Sequence, residues 1–244
     1  MTAQWAKTIG QALRYWLLPG ACLACHRLLA IDQESLCTEC DRILTSDDGP
    51  VCHRCSGSVG AGLDTSTGCH QCRQERWNFD RVVRLGTYGG PLRDLLLRMK
   101  QPSGESLAEV VGRRWAEQMC PKLAGNRMDL VVPVPLHRRR QRERGFNVAE
   151  CLAVALAEKL GVACLTTWLR RVRHDPPQTD LSPTQRRANV RGAFVGRSDH
   201  RLRGKSIVLV DDVLTTGSTA HEAARPLRDA GAASIIVAVV AHGR

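Results

Sequence analysis

With 244 residues, 43% of them hydrophobic, the chain can bury the core of one full α/β domain plus a small appendage, which excludes a disordered tail. Its net charge of +11 is uneven: residues 1–80 hold 7 of the 35 Lys/Arg and 9 of the 24 Asp/Glu, leaving 28 against 15 for residues 81–244. Such a field attracts polyanions, whether nucleic acid, phosphorylated metabolites or diphosphates, without choosing among them. No apolar run reaches the roughly 18 residues of a membrane span, and a cytoplasmic protein is expected.

Residues 1–19 carry Trp5, Ile9, Leu13, Trp16 and Leu17 at near-helical spacing, which predicts a short amphipathic helix. The stretch lacks the continuous apolar segment and cleavage site of a signal peptide. Residues 20–75 then hold eight of the eleven cysteines, all in Cys-x-x-Cys pairs: Cys22/Cys25, Cys37/Cys40, Cys52/Cys55 and Cys69/Cys72. A Cys-x-x-Cys turn presents two thiolates along one tetrahedral edge, and two turns close a four-sulfur site, so eight thiolates predict two structural Zn²⁺ sites. A disulfide framework would suit a secreted chain, and a thioredoxin-like pair would want a neighbouring βαβ unit. The grouping stays open between sequential pairing and an interleaved cross-brace. His26, His53 and His70 sit beside the pairs but are superfluous once each site has four sulfurs. Cys120, Cys151 and Cys164 are isolated in apolar patterns and read as buried structural residues.

From residue 80 to 244 the apolar period alternates. Strands are expected at Val82–Tyr88, Leu130–Val134, Ile207–Val210 and Ile235–Val240, with weaker signals at Ala163–Trp168 and Ala193–Val195. Helices are expected at Pro91–Met99, Glu105–Gln118, Val148–Leu160 and Thr219–Ala230. This alternation predicts an α/β fold, a mostly parallel sheet flanked by helices on both faces, with ligands collecting at the carboxyl ends of the strands.

The stretch VLVDDVLTTGST, Val208–Thr219, runs an apolar strand into two carboxylates and a hydroxyl-rich loop at a helix start. A helix N-terminus favours a phosphate. Gly217 lets the backbone approach it, and Thr215, Thr216, Ser218 and Thr219 add donors. Asp211 and Asp212 suit vicinal sugar hydroxyls or a hydrated Mg²⁺. An acidic cap with no ligand would explain one Asp but not the second, nor the donor-rich loop.

This motif resembles, position for position, the phosphoribosyl pyrophosphate (PRPP) loop of type I phosphoribosyltransferases. The resemblance implies that Asp211 and Asp212 hold the ribose hydroxyls while Thr215–Thr219 hold the 5-phosphate, with Mg²⁺ accompanying PRPP. Further on each side, Val132–Asn147 packs five arginines into residues 138–144, and QTDLSPTQRRANVRGAF at Gln178–Phe194 and YGGPLRDLLLRMK at Tyr88–Lys100 accompany it. Together these are similar to the ComF family, which joins a double zinc ribbon to a phosphoribosyltransferase domain. By that resemblance Arg138 to Asn147, including Arg138 and Arg144, form the pyrophosphate-loop region, Pro176–Arg191 a closing lid, and Lys100 a further pyrophosphate contact, although a surface lysine at a helix end explains it equally well. The implied activity is phosphoribosyl transfer to an acceptor the residues do not name.

ComF-type proteins are associated with natural competence, the uptake and use of DNA. The alternative is therefore a non-catalytic DNA-handling module, binding single-stranded DNA or a DNA-processing protein through the zinc ribbon and the arginines at 138–144, 170–173 and 186–191. Aromatic residues make up only 4% of the chain, which disfavours a stacking platform, and Trp77, Trp115 and Trp168 read as core or interface fillers.

Overall fold

The computed structural model describes residues 20–31, 33–45, 49–173, 190–197 and 202–243. The helix expected within residues 1–19 and most of the segment Pro176–Arg191 lie outside them. The chain divides into two compact units, Met1–Ser46 and Asp47–Arg244, and the division falls between the second and third Cys-x-x-Cys pairs.

In the first unit, an antiparallel bridge between Ala21 and Leu28 closes a tight turn, and a short helix, α1 (Thr38–Ile43), follows. The second unit opens on a turn of the same design, bridged between Val51 and Ser58. In both turns the residue after the second cysteine, His26 or Ser56, takes a positive φ, and its N–H bonds back to the carbonyl of the first cysteine at 2.8 Å. The cysteine spacing is thus a structural duplication.

The rest of the second unit runs β1 (Arg81–Thr87), α2 (Gly90–Met99), α3 (Glu105–Leu123), β2 (Leu130–Pro133), α4 (Arg138–Arg144), α5 (Val148–Leu160), β3 (Ala163–Cys164), β4 (Leu169–Arg171), β5 (Phe194–Gly196), β6 (Ser206–Leu214), α6 (Ser218–Asp229) and β7 (Ser234–His242). Five strands form a wholly parallel sheet in the order β1-β7-β6-β2-β3. Its central strands read as unbroken aliphatic runs because both faces are covered: Ile207–Val210 and Val237–Ala241 are fully buried. Trp115 of α3 is also fully buried, and its indole N–H donates to the Val239 carbonyl at 3.1 Å.

Three local expectations are corrected. The strand expected over Ala163–Trp168 stops at Cys164, where its pairing with Leu130 and Val131 of β2 ends; the chain turns away and forms the antiparallel β4–β5 hairpin. The arginine run is a seven-residue helix, capped by His137, whose ring nitrogen accepts from Arg139 N–H, and stopped at Gly145. Arg, Gln and Glu all favour helix, and Arg139–Glu143 adds an i,i+4 pair. Cys120, Cys151 and Cys164 are half-buried, not buried.

Candidate functional site

The site forms where β6 outruns β2. Pairing between them ends at Pro133–Val210, whereas β6 stays paired with β7 through Asp211–Val239 to Leu214–His242. Asp211 and Asp212 are therefore still strand residues, with one flank left open by the chain's departure into α4. Asn147 shapes that departure: its amide N–H donates to Val134 O at 3.0 Å while its oxygen accepts from Ala149 N–H and caps α5.

Cations converge on the carboxylates. Lys100, just past α2, has its Nζ 2.7 Å from Asp212 Oδ2. Burial would lower the Lys100 ammonium, but Asp212 and Asp211 hold it above its ordinary value. Arg144 lies within reach of the Asp212 charge, and burial sets its guanidinium below the usual range. Asp211 is pushed up to about 8, first by burial and then by Asp212, against the pull of Asp212 N–H, Lys100 and Arg171. The pair thus places one carboxyl against a lysine beside one that burial and its neighbour's charge make harder to ionise. Arg138, at the other end of α4, is exposed.

Residues Asp211 and Val213–Ala220 wall a small cradle at the start of α6. Gly217 takes φ 77°, where a side chain is strained. Thr216 and Ser218 hydroxyls are 2.8 Å apart, and the first-turn N–H groups of α6 have no carbonyl within the helix to bond. Thr215 and Thr219 flank this pair, so the loop gathers hydroxyl and amide donors as an anion requires.

The cysteines group sequentially. Cys22, Cys25, Cys37 and Cys40 form one cluster and Cys52, Cys55, Cys69 and Cys72 the other, ligand atoms within 4.8 Å of one another in each. Neighbouring sulfurs stand 3.7–3.8 Å apart, the separation of about 3.8 Å that a tetrahedral zinc with bonds of about 2.3 Å demands. Backbone N–H groups of Cys37, Gly57 and Cys69 point at sulfurs of Cys22, Cys55 and Cys52. Against burial, such N–H groups lower Cys22 to about 7 and Cys52 to about 6. Burial and the neighbouring sulfurs raise Cys40, Cys55 and Cys72. A divalent cation removes that imbalance, so both tetrads fit zinc.

Two family models match the chain: a double zinc ribbon domain over residues 13–75 and a phosphoribosyl transferase domain over residues 143–244. Competence protein F of Haemophilus influenzae is 32% identical over 69% of this chain and 76% of its own length. The DNA utilization protein YhgH of Salmonella typhimurium is 35% identical over 69% and 75%. The chain belongs to the ComF family. The ComF fold here is accordingly a type I phosphoribosyltransferase domain preceded by cysteine ribbons. Among solved structures, a glutamine PRPP amidotransferase of B. subtilis aligns at 23% identity over 52% of this chain and 26% of that one, with a TM-score of 0.35; nothing of its site carries over at that likeness.

Two residues at the candidate site escaped the sequence reading. Arg171 entered it only as one of an arginine cluster, yet its charge acts on Asp211; the bridge between His137 and Arg171 that brings β4 beside α4 is a long-range contact. Trp77, read as a filler, lies against Gly217, where an added Cβ would stand 3.4 Å from the indole nitrogen. No helix among the described residues is long and apolar enough to cross a membrane.

Proposed function

We propose that this ComF-family chain binds PRPP together with Mg²⁺ and does so in the use of DNA, the role carried in the names of its relatives. The observation that carries the reading is the Asp211–Asp212 pair under Lys100 and Arg144, directly before a hydroxyl-lined loop at a helix N-terminus. In this reading the two carboxylates hold the ribose hydroxyls. Thr215, Thr216, Gly217, Ser218 and Thr219 hold the 5-phosphate, and Lys100, Arg144 and Arg138 neutralise the pyrophosphate. Two adjacent carboxylates fit a Mg²⁺ that takes one or two carboxylate oxygens and completes its shell with substrate phosphates and water. When bound, the ion neutralises charge on the departing pyrophosphate.

Phosphoribosyl transfer needs no side-chain nucleophile. The protein contributes positioning and fixed charges around an oxocarbenium-like sugar, and hydroxyls donating to Asp211 favour its carboxylate, which releases its proton to solvent. Zinc serves the ribbons structurally, and reduced thiolate tetrads suit the cytoplasm.

Calorimetric titration of Mg²⁺–PRPP into the zinc-loaded chain tests this. Binding should occur and should vanish in the Asp211→Asn/Asp212→Asn variant. An intact, folded chain that ignores PRPP would remove the reading. It would leave the second one, a DNA-handling module, which the relatives' names and the arginines of α4 favour; that module should hold single-stranded DNA equally well or better once the two carboxylates are neutralised.

A further inference from the structure

The second cysteine tetrad and the phosphate loop are joined by a short run of contacts through residues 75–80, all within the second compact unit. Arg54, inside the Cys52–Cys55 turn, donates through its guanidinium to the carbonyls of Cys72 and Glu75, and so ties both halves of the tetrad to the segment leaving it. The same guanidinium lies 5.0 Å from the centre of the Trp77 ring, an indole that also packs against the tetrad. Phe79 stacks on that ring at 4.8 Å between centroids. With Phe79 and Arg54 both against the ring, the indole meets Gly217 along its Nε1–Cζ2 edge, at 3.4–3.6 Å from where a Cβ would stand. One residue on, Asn78 N–H donates to His221 Nδ1 and the Asn78 amide donates to His221 O, both at 3.1 Å. His221 N–H in turn donates to Gly217 O at 2.8 Å, closing the first turn of α6.

We propose that Trp77 is a positioning residue through which the second cysteine tetrad sets the shape of the phosphate loop. A glycine at φ 77° can leave that conformation at little steric cost, since positive and negative φ are about equally open to it. An indole edge on one side and the Asn78–His221 bonds on the other remove that freedom, so the loop donors face the anion before it arrives. The indole also walls a cavity of about 580 Å³ bounded by Arg76, Arg191, Glu222 and Arg225. It does not serve there as a surface for a base, since Phe79 and Arg54 already lie against its ring.

The effect on ligand affinity rests on the PRPP reading, whereas the effect on the loop does not. Hydrogen exchange of the ligand-free, zinc-loaded chain therefore comes first. Trp77→Ala should speed exchange of the bonded amides within 216–221, those of Ser218 and His221, about tenfold while leaving those of β7 unchanged, and Trp77→Phe should restore most of the protection. Arg54→Met should act in the same direction, and its effect should not add to that of Trp77→Ala. Chelation that empties the second tetrad should loosen the loop in the parent chain but add nothing in Trp77→Ala. Unchanged exchange at 216–221, equal loosening of β7, or an undiminished chelation effect without the indole would each overturn the proposal. Titration of Mg²⁺–PRPP into the same variants should show affinity about tenfold weaker for Trp77→Ala. A parent chain that binds no PRPP defeats the PRPP reading alone, because the exchange data still decide the coupling.

Discussion

Asp211 and Asp212 are chemically identical and adjacent, yet their surroundings assign them different work. Asp212 has Lys100 at 2.7 Å, while Asp211 is pushed up to about 8. Since that value lies above the ordinary carboxyl value of about 3.9, the folded chain binds more protons than the unfolded one between about pH 4 and pH 8. The stability contributed by this group is present at low pH and falls as pH rises through that window. Melting curves of the parent and Asp211→Asn should therefore diverge toward alkaline pH in favour of the variant. PRPP binding should release a proton below pH 8 and tighten as pH rises to that point, which calorimetry in buffers of different ionisation heat will reveal. Replacing Lys100 by Met should weaken PRPP about tenfold or more, through loss of a charge-assisted contact. The carboxylates and the Thr-rich loop could be read from nine consecutive residues because the motif is local. Lys100 could not be ranked from sequence, since a lysine at a helix end looks the same whether it faces water or a carboxylate 112 residues away.

At the scale of elements, the site depends on corners. Gly217 joins β6 to α6 at φ 77°, and an alanine there costs about 1–2 kcal/mol in backbone strain, its Cβ meeting Trp77 only at ordinary contact distance. Gly217→Ala should lower the melting temperature by about 2–8 °C and cost proportionally more in PRPP affinity. Gly104 joins α2 to α3 so closely that a Cβ would stand 2.5 Å from Met99 O. That contact is with backbone, next to Lys100, so Gly104→Ala should loosen the Lys100–Asp212 pair and weaken PRPP without touching the loop; a titration profile equal to the parent's would contradict this. Strands β6 and β7 were legible because burial on both faces writes an aliphatic run. The extent of β3 was not, because where pairing with β2 ends is a long-range matter that the local apolar pattern does not carry, and α4 was hidden because five arginines in seven positions carry no apolar face.

For the whole molecule, eight cysteines make two tetrads of like chemistry in different compact units. The second tetrad's turns are stitched to β1, with Ser56 Oγ donating to Val82 O at 2.7 Å, Val82 N–H to Arg54 O at 2.9 Å, and the buried Arg84 to Ser58 Oγ at 2.7 Å. Cys37→Ser and Cys69→Ser should each cost one zinc. Cys69→Ser should also destabilise the parallel-sheet domain to which its tetrad is stitched, visible as a lowered melting transition and faster exchange in β1. A transition and exchange equal to the parent's would refute this.

Sequence alone determined the chemistry that lives in short spacings: thiolates for metal, paired carboxylates with a hydroxyl-rich loop, and the alternating pattern of an α/β domain, since each is written within a few residues of itself. Tertiary structure alone decided which thiolates share a site, that Lys100 and Arg144 converge on Asp212, that Arg171 acts on Asp211, and that Trp77 lies against Gly217. Those are contacts between distant segments, and only the packed sheet decides which segments meet.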